Sequence, residues 1–182
     1  KPLGRVYSRE ELEALAAVVD AHQGLVFSDE IHAPLTFPGH RHIPYASLSE
    51  TTAHHTITAT SASKAFNIPG LKCAQLIVSS PQHQETLEKV AFMVSHGAAT
   101  PGVMANTAAY QSGGPWLEDV LSYIDTNRTL LADLLEKHLP QMGYRAPEGT
   151  YIAWLDATGL PPVAGDRSWA QFFSDEARVA LT

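Results

Sequence analysis

An α/β fold is the class that the sequence predicts, because amphipathic segments alternate with short runs suited to buried strands. Apolar residues repeat at helical spacing over 12–19, and Gly24, a predicted C-cap, then precedes the apolar run 25–27. The β-branched run 56–60 and the apolar run 74–78 predict two further strands. The order of helix, glycine and strand is typical of one half of a βαβ unit.

Helix starts are marked by capping residues and by proline in the first turn. In the run Ser8-Arg9-Glu10-Glu11, the hydroxyl and the last carboxylate can each accept a hydrogen bond from a backbone N–H, as in a capping box. The pairs Ser80-Pro81 and Thr100-Pro101 predict two more starts. Pro115-Trp116 opens the longest helix, whose apolar stripe is predicted to be buried.

Two parts are expected along the chain. Residues 1–142 are predicted to form the C-terminal part of a large domain, which ends in the long helix as a linker. Residues 143–182 are predicted to begin a small domain. In this second part, the runs 144–146 and 151–155 predict two strands around a Pro-Glu-Gly turn, and a last helix is predicted after Asp166.

Composition and charge narrow the function classes. With 45% hydrophobic and 17% charged residues, the 182-residue chain has the make-up of a soluble globular protein. A net charge of −7 argues against nucleic acid as a partner, because phosphate binding needs a basic surface. No apolar run is long enough to cross a bilayer, so no membrane partner is expected. The single cysteine, Cys73, excludes an internal disulfide, and a reduced, cytoplasmic compartment is expected.

Asp29 and Lys64 are candidates for chemistry because each follows a predicted buried strand. Ligands of open α/β sheets bind at the carboxyl ends of strands, so both side chains should lie on one rim. A lysine in such a place can form a Schiff base when burial or a neighbouring charge lowers its pKa. Ser61 and Ser63 can donate to a phosphate, helped by the N-terminus of a helix expected after Lys64.

Asp29, the acidic candidate, is suited to bind the nitrogen of a heterocyclic cofactor. A buried carboxylate such as that expected of Asp29 can hold a pyridine nitrogen in its protonated form, which makes the ring an electron sink. His32, three residues further on, can hydrogen-bond a ring oxygen of the same cofactor. On spacing alone, a loop histidine with its hydrogen bonds satisfied is an equally good interpretation of His32.

Other conspicuous residues are interpreted as structural. The nine histidines include pairs within 40–42 and 54–55, but no Cys or carboxylate stands at a familiar ligand spacing from them. We therefore interpret them as solvated loop histidines and expect no metal site. Trp116, Tyr151 and Trp154 are interpreted as core aromatics rather than substrate contacts.

Two runs carry a family resemblance, Ser28-Asp29-Glu30-Ile31-His32 and residues 60–70 (Thr-Ser-Ala-Ser-Lys-Ala-Phe-Asn-Ile-Pro-Gly). They resemble the fold-type I, pyridoxal 5′-phosphate (PLP)-dependent enzymes of the class I/II aminotransferase superfamily. Residues 29–32, 114–117 and 149–156 are more closely similar to the cystathionine β-lyase-type C–S lyases, the MalY/PatB group. The resemblance implies part of a large domain, with a mostly parallel sheet between helices on both faces, and the start of a small α/β domain.

The resemblance also implies roles for individual residues. Lys64 corresponds to the lysine that forms the Schiff base with PLP, and Asp29 to the partner of the pyridine nitrogen. His32 corresponds to the position that contacts the ring hydroxyl. Ser61 and Ser63 correspond to the serines on the phosphate side of the site.

Two positions depart from the family pattern. Lys72 stands where aminotransferases usually place a phosphate-binding Arg, and it lacks the bidentate geometry of that residue. Lys1 stands in the place of an Asn that contacts cofactor and substrate. The phosphate-binding glycine loop, the aromatic that stacks on the ring and the Arg that binds the substrate carboxylate find no counterpart. We therefore expect a fragment that is inactive alone.

The activity that the resemblance implies is β-elimination from a cysteine S-conjugate such as L-cystathionine, with Lys64 as general base. The products are a thiol, pyruvate and ammonia, which indicates amino-acid metabolism and methionine biosynthesis. One alternative is a PLP-dependent aminotransferase that uses the same residues, and another is a non-catalytic PLP-fold protein or inactive fragment. The resemblance further implies a homodimer with an amino acid as small-molecule substrate.

Overall fold

The computed structural model describes residues 3–163 and 167–181, so the predictions for Lys1 and Asp166 lie outside the described residues. Within these ranges, no helix combines the length and the hydrophobicity needed to span a membrane. The helices and strands, in chain order, are α1 (Arg9–Ala21), β1 (Val26–Asp29), α2 (Glu50–His54), β2 (Thr56–Thr60), α3 (Ala62–Ala65), β3 (Gln75–Val78), α4 (Pro81–Ser95), α5 (Thr100–Ser112), α6 (Gly114–His138), β4 (Gly143–Tyr144), β5 (Leu155–Asp156) and α7 (Trp169–Glu176).

A three-stranded sheet in the order β1-β2-β3 lies in the first part of the chain. β1 and β2 are parallel, with Val26 opposite Thr56 and Asp29 opposite Ala59. β3 runs antiparallel to β2, with Thr60 opposite Gln75. The α/β class is confirmed, and within the described residues this sheet is mixed, with one parallel and one antiparallel pairing, where the resemblance implied a mostly parallel one.

Most local predictions are confirmed because short-range chemistry decides them. The capping box at Ser8 is present, with its hydroxyl accepting from the Glu11 N–H at 3.2 Å. The strand predicted over 56–60 has those bounds, and helices begin at Pro81 and Thr100. The prediction of Gly24 as C-cap is wrong. α1 ends earlier, and its cap is followed by Gln23 in the left-handed region with φ of 49°.

β4 and β5 are shorter than predicted, because the segment between them bonds to the first part of the chain. The backbone N–H groups of Glu148 and Gly149 donate to the carbonyl of Gly4 at 2.8 and 3.1 Å. The N–H of Thr150 donates to the Leu35 carbonyl at 2.6 Å. Backbone groups used in this way cannot extend a hairpin ladder, so the two strands pair over two residues each.

The loop that follows β1 contributes to the core. Leu35 and Phe37 are each 1% exposed, and Tyr45 is 4% exposed at the start of a short 3-10 helix, Tyr45–Ser47. The long helix α6 is less buried than its apolar stripe predicts, since Leu135 is buried whereas Leu134 is 45% exposed. The core around the sheet therefore depends on irregular backbone as well as on helices.

Candidate active site

The rim at the carboxyl ends of β1 and β2 carries the two residues that the sequence singles out. Asp29 is the last residue of β1, and its partner in the parallel pairing is Ala59, one residue before β2 ends. The chain then turns through Ser61 into α3, which contains Lys64. Because parallel strands end at the same edge, Asp29 and Lys64 both belong to one edge of the sheet, as predicted.

Two neighbouring cavities at this rim share the side chain of Leu35. The first, here called the carboxylate cavity, has a volume of about 300 Å³, and Asp29 and His32 contribute to its lining. The second, the lysine cavity, has a volume of about 410 Å³, and Ser63 and Lys64 contribute to its lining. The structure thus places the acidic and basic candidates in adjacent cavities rather than in a single one.

Asp29 presents its carboxylate to solvent and to the carboxylate cavity. Its Oδ1 accepts a hydrogen bond from the backbone N–H of Ile31 at 3.1 Å, which ties the side chain to the turn after β1. The sequence predicts a buried carboxylate at this position, whereas in the described residues the side chain is exposed. The carboxylate therefore lies at the cavity and not in the core.

His32 lies on the same turn and is half-buried. Its Nδ1 lies 2.9 Å from the Oγ1 of Thr150, and its ring centroid lies 5.5 Å from that of Tyr151. Thr150 is separated from His32 by 118 positions in sequence. The second part of the chain therefore supplies a direct contact to one of the candidate cofactor-binding residues.

The two serines before Lys64 hydrogen-bond to each other. The Ser61 hydroxyl donates to the Cys73 carbonyl at 2.6 Å and accepts from the Ser63 N–H at 3.0 Å. The two hydroxyl oxygens are 2.7 Å apart. A hydroxyl has one proton to donate, so the Ser63 hydroxyl is the donor in this pair. Ser61 is 1% exposed, while Ser63 and Lys64 are half-buried.

The helix expected after Lys64 begins before it. α3 starts at Ala62, so Lys64 lies inside the helix. The first amide of α3 donates to the Oδ1 of Asn106 at 2.9 Å, and the second donates to Ser61. These N–H groups have partners within the protein, and the expectation that a helix begins after Lys64 is wrong.

Lys72 occupies a different setting from the other candidates. It caps the short 3-10 helix Pro69–Leu71 with φ of 52° and ψ of 60°, and it is exposed. Lys72 contributes to the lining of neither the carboxylate cavity nor the lysine cavity. Of the candidates, Lys72 and the buried Ser61 contribute to neither lining, whereas Asp29, His32, Ser63 and Lys64 do.

Glu30 contributes to the lining of the carboxylate cavity and holds neighbouring groups by hydrogen bonds. It was assigned no role from the sequence. Its carboxylate accepts from the Ser28 hydroxyl at 3.0 Å, the Tyr45 N–H at 3.1 Å and the His42 Nε2 at 3.0 Å. Burial raises the pKa of Glu30, but the hydrogen bond and charge interaction with His42, with the hydrogen bonds from Ser28 and the Tyr45 N–H, outweigh it and hold the pKa below its usual range.

The aromatic residues interpreted as core residues are partly exposed at the site. Trp116 and Tyr151 are 46% and 48% exposed, and both line the lysine cavity. Trp154 is 54% exposed. The interpretation as core aromatics is therefore wrong for all three: Trp116 and Tyr151 belong to a cavity wall, and Trp154 is exposed.

The histidine pairs have partners of their own. His42 bonds to Glu30, and the Nε2 of His55 lies 3.0 Å from the hydroxyl of Tyr45. The interpretation as solvated loop residues is wrong for these two, which are half-buried. Across residues 3–163 and 167–181, no three His, Cys, Asp or Glu side chains are grouped so that they could hold a metal ion.

Asn106 and Thr150 are the other residues of the site that sequence reasoning missed. Asn106 is 3% exposed, and its Nδ2 donates to the Gly102 carbonyl at 3.0 Å while its Oδ1 holds α3. Thr150 is 4% exposed and contacts His32. The sequence of α5 offers no clear signal for Asn106, because Thr107 and Gln111 are polar residues of the same helix.

The sequence matches a known family along nearly its whole length. The model of the family described as aminotransferase class I and II matches residues 1–181. Cystathionine beta-lyase PatB of Bacillus subtilis is 37% identical over 161 residues, which cover 85% of this chain and 40% of that protein. Protein MalY of Escherichia coli is 35% identical over 183 residues, which cover 99% of this chain and 45% of that protein.

The fold has close counterparts among solved structures. The crystal structure of cystalysin from Treponema denticola, which contains a pyridoxal 5′-phosphate cofactor, superposes with a TM-score of 0.91 and 31% identity. The superposition covers 99% of this chain and 45% of the cystalysin chain. This chain therefore spans less than half the length of the relatives that it matches.

Proposed function

Because this chain belongs to the aminotransferase class I and II family, we propose that the complete protein is a PLP-dependent C–S β-lyase. Its substrates are cysteine S-conjugates such as L-cystathionine, which it cleaves to a thiol, pyruvate and ammonia. The observation that carries the proposal is Lys64, which follows β2 and lines a cavity beside the one lined by Asp29 and His32. The relatives named cystathionine beta-lyase support the choice of reaction.

The chemistry of the donor set fits PLP. The half-buried Lys64 supplies the primary amine that an aldehyde requires, and Asp29 supplies a carboxylate for a pyridine nitrogen. Ser63 can give its hydroxyl proton to a phosphate if that hydroxyl turns away from Ser61, 2.7 Å distant. Ser61 accepts a hydrogen bond from the Ser63 N–H and so fixes the Ser63 backbone, in addition to its proposed contact with the cofactor.

The roles of the residues in the reaction follow from their atoms. When bound, PLP supplies an electron sink for the electron pair left on the substrate Cα. Lys64 Nζ accepts the proton from that Cα as general base. Asp29 keeps a proton on the ring nitrogen, and His32 donates a hydrogen bond to the ring oxygen. Trp116 and Tyr151 form the apolar wall that limits water around Lys64.

Lys72 has a weaker claim to a binding role. We propose that it contributes positive charge near the phosphate, in place of the bidentate arginine of aminotransferases. Its exposed position at the end of a 3-10 helix supports an electrostatic contribution rather than a fixed contact. Replacement by alanine is expected to weaken PLP binding less than the loss of Ser63 does.

Lyase and aminotransferase reactions can be separated with the complete protein. L-cystathionine is supplied with PLP but without any keto acid, and pyruvate is measured by coupling to lactate dehydrogenase. The lyase forms pyruvate under these conditions. If pyruvate forms only after an α-keto acid is added as amino acceptor, the protein is an aminotransferase, the reaction that the family description favours.

The role of Lys64 is tested by Lys64→Ala, with Lys89→Ala as matched control. Lys89 is 68% exposed on α4 and pairs with Glu85, so its loss should leave activity unchanged. Without its general base, Lys64→Ala should lose about 100-fold or more in kcat and should also lose the visible absorption of bound PLP. Equal activity and spectra in the two variants would favour a non-catalytic PLP-fold protein.

Assembly and context are part of the same proposal. We propose a homodimer. We also propose a division into residues 1–142 and 143–182, which the 25-residue helix α6 and the separate β4-β5 sheet support. A cytoplasmic location is supported by the single, unpaired Cys73. Cleavage of L-cystathionine would contribute to methionine biosynthesis. Light scattering of the complete protein tests the dimer directly.

A further inference from the structure

Thr150 has an unusual backbone at the point where it meets His32. Its φ is 67°, in the left-handed region that β-branched residues rarely adopt, and its side chain is 4% exposed. Such a conformation is strained and persists only where surrounding contacts enforce it. Glycine and asparagine adopt this conformation at lower cost, and the Thr150 hydroxyl is the group that contacts His32.

The contacts that enforce this backbone come from the first part of the chain. The Thr150 N–H donates to Leu35 at 2.6 Å, and Gly149 forms an isolated β-bridge with Thr36. Glu148 accepts from the Val6 N–H at 2.8 Å. The segment 147–150 is thus held on both sides, and the position of the Thr150 hydroxyl relative to His32 is closely defined.

We infer that Thr150 is a positioning residue that sets the tautomer of His32. The hydroxyl oxygen lies 2.9 Å from the His32 Nδ1, a distance that fits either direction of the hydrogen bond. In the tautomer that we infer, the hydroxyl donates to Nδ1 and the ring proton resides on Nε2. Nε2–H can donate a hydrogen bond to the hydroxyl oxygen attached to the pyridine ring of PLP, because that oxygen is an acceptor. The inference rests on the proposed function for this use of Nε2–H, but the tautomer itself does not depend on PLP.

The tautomer can be measured in the complete protein without PLP. Histidine labelled with ¹⁵N gives long-range ¹H–¹⁵N correlations whose pattern distinguishes Nε2–H from Nδ1–H. The His32 signals are assigned by their loss in His32→Asn. We expect the Nε2–H pattern in the wild type and in Thr150→Ser, which keeps the hydroxyl.

Two variants remove the hydroxyl with opposite effects on the backbone. Thr150→Val keeps the branched side chain at φ of 67°, whereas Thr150→Gly relieves the strain. Both should convert His32 to a mixture of tautomers, and Thr150→Gly remains testable if the valine variant does not fold. Thr129→Val, on the exposed face of α6, is the control for removing a threonine hydroxyl and should leave His32 unchanged.

The PLP-loaded protein gives a second readout. Thr150→Val and Thr150→Gly should lower kcat about tenfold, the effect of one net hydrogen bond, with little change in KM. They should also shift the pH at which the visible band of bound PLP changes. Thr150→Ser should keep the kcat and the band's pH dependence of the wild type. An unchanged His32 tautomer in both variants overturns the inference, as does a change confined to Thr150→Val. Failure of the wild type to bind PLP would instead refute the proposed function.

Discussion

Replacement of Glu30 by glutamine tests how much the hydrogen bonds of the Glu30 carboxylate contribute to the stability of the protein. The Glu30 side chain is 10% exposed, its Oε1 accepts from Ser28 and Tyr45, and its Oε2 accepts from His42. Glu30→Gln keeps an oxygen for the first two donors and turns an NH₂ group toward His42. Hydrogen bonds to a charged group contribute about 1.5–3 kcal/mol and neutral ones about 0.5–1.5 kcal/mol, so the loss should be about 1–2 kcal/mol.

Urea denaturation of the complete protein measures this loss near neutral pH. Glu13→Gln is the control, since Glu13 lies on α1 with its side chain 55% exposed and pairs with Arg9 at 3.4 Å. An exposed pair of this kind contributes about 0–1 kcal/mol. Glu30→Leu, which leaves the buried Tyr45 N–H without an acceptor, should cost about 1–3 kcal/mol for that group alone. Equal stability of Glu30→Gln and Glu13→Gln would refute the reasoning.

The same variant predicts a pH dependence. The pKa of Glu30 is lowered in the folded protein, so its stabilisation is complete above the unfolded value of about 4.3 and is lost as the pH falls through the folded value. The stability difference between wild type and Glu30→Gln should therefore shrink below about pH 4. A difference that grows on acidification would contradict the assigned sign.

Two further substitutions test how α5 supports the lysine. Asn106→Ala leaves the first amide of α3 without its acceptor, so it should cost about 1–3 kcal/mol in urea denaturation and weaken PLP retention. Asn127→Ala, on the exposed face of α6, is the control and should change neither the stability nor the retention of PLP. Gly102→Ala places a Cβ against the backbone carbonyl of Leu71 and should cost about 1–3 kcal/mol, whereas Gly97→Ala meets no atom within 4 Å and should be nearly neutral. Equal unfolding midpoints within either pair would contradict the packing argument.

The features that the sequence predicts well are those decided within a few residues. The capping box at Ser8 and the bounds of β2 depend on neighbouring side chains and on β-branched composition. The placement of Asp29 and Lys64 follows from strand ends, and the family motifs around them are contiguous. The roles of these residues remain predictions, while the position of each is established by the fold.

Other features depend on residues that are distant in sequence and could not be predicted from local patterns. The exposure of Trp116 and Tyr151 depends on which segments pack over them. The local sequence does not distinguish an aromatic residue of the core from one that lines a cavity. The truncated β4-β5 pairing depends on carbonyl groups of Gly4 and Leu35, which lie more than a hundred positions away.

The sequence by itself determined the α/β class, the family and the two residue types, a carboxylate and a primary amine, that stand at adjacent strand ends. Only the tertiary structure decided that Asn106 holds the start of α3, that Glu30 anchors the carboxylate cavity and that Thr150 meets His32. The physical reason is that propensity and capping act over one turn, whereas a buried polar group takes whichever partner the packed chain brings within 3 Å or so.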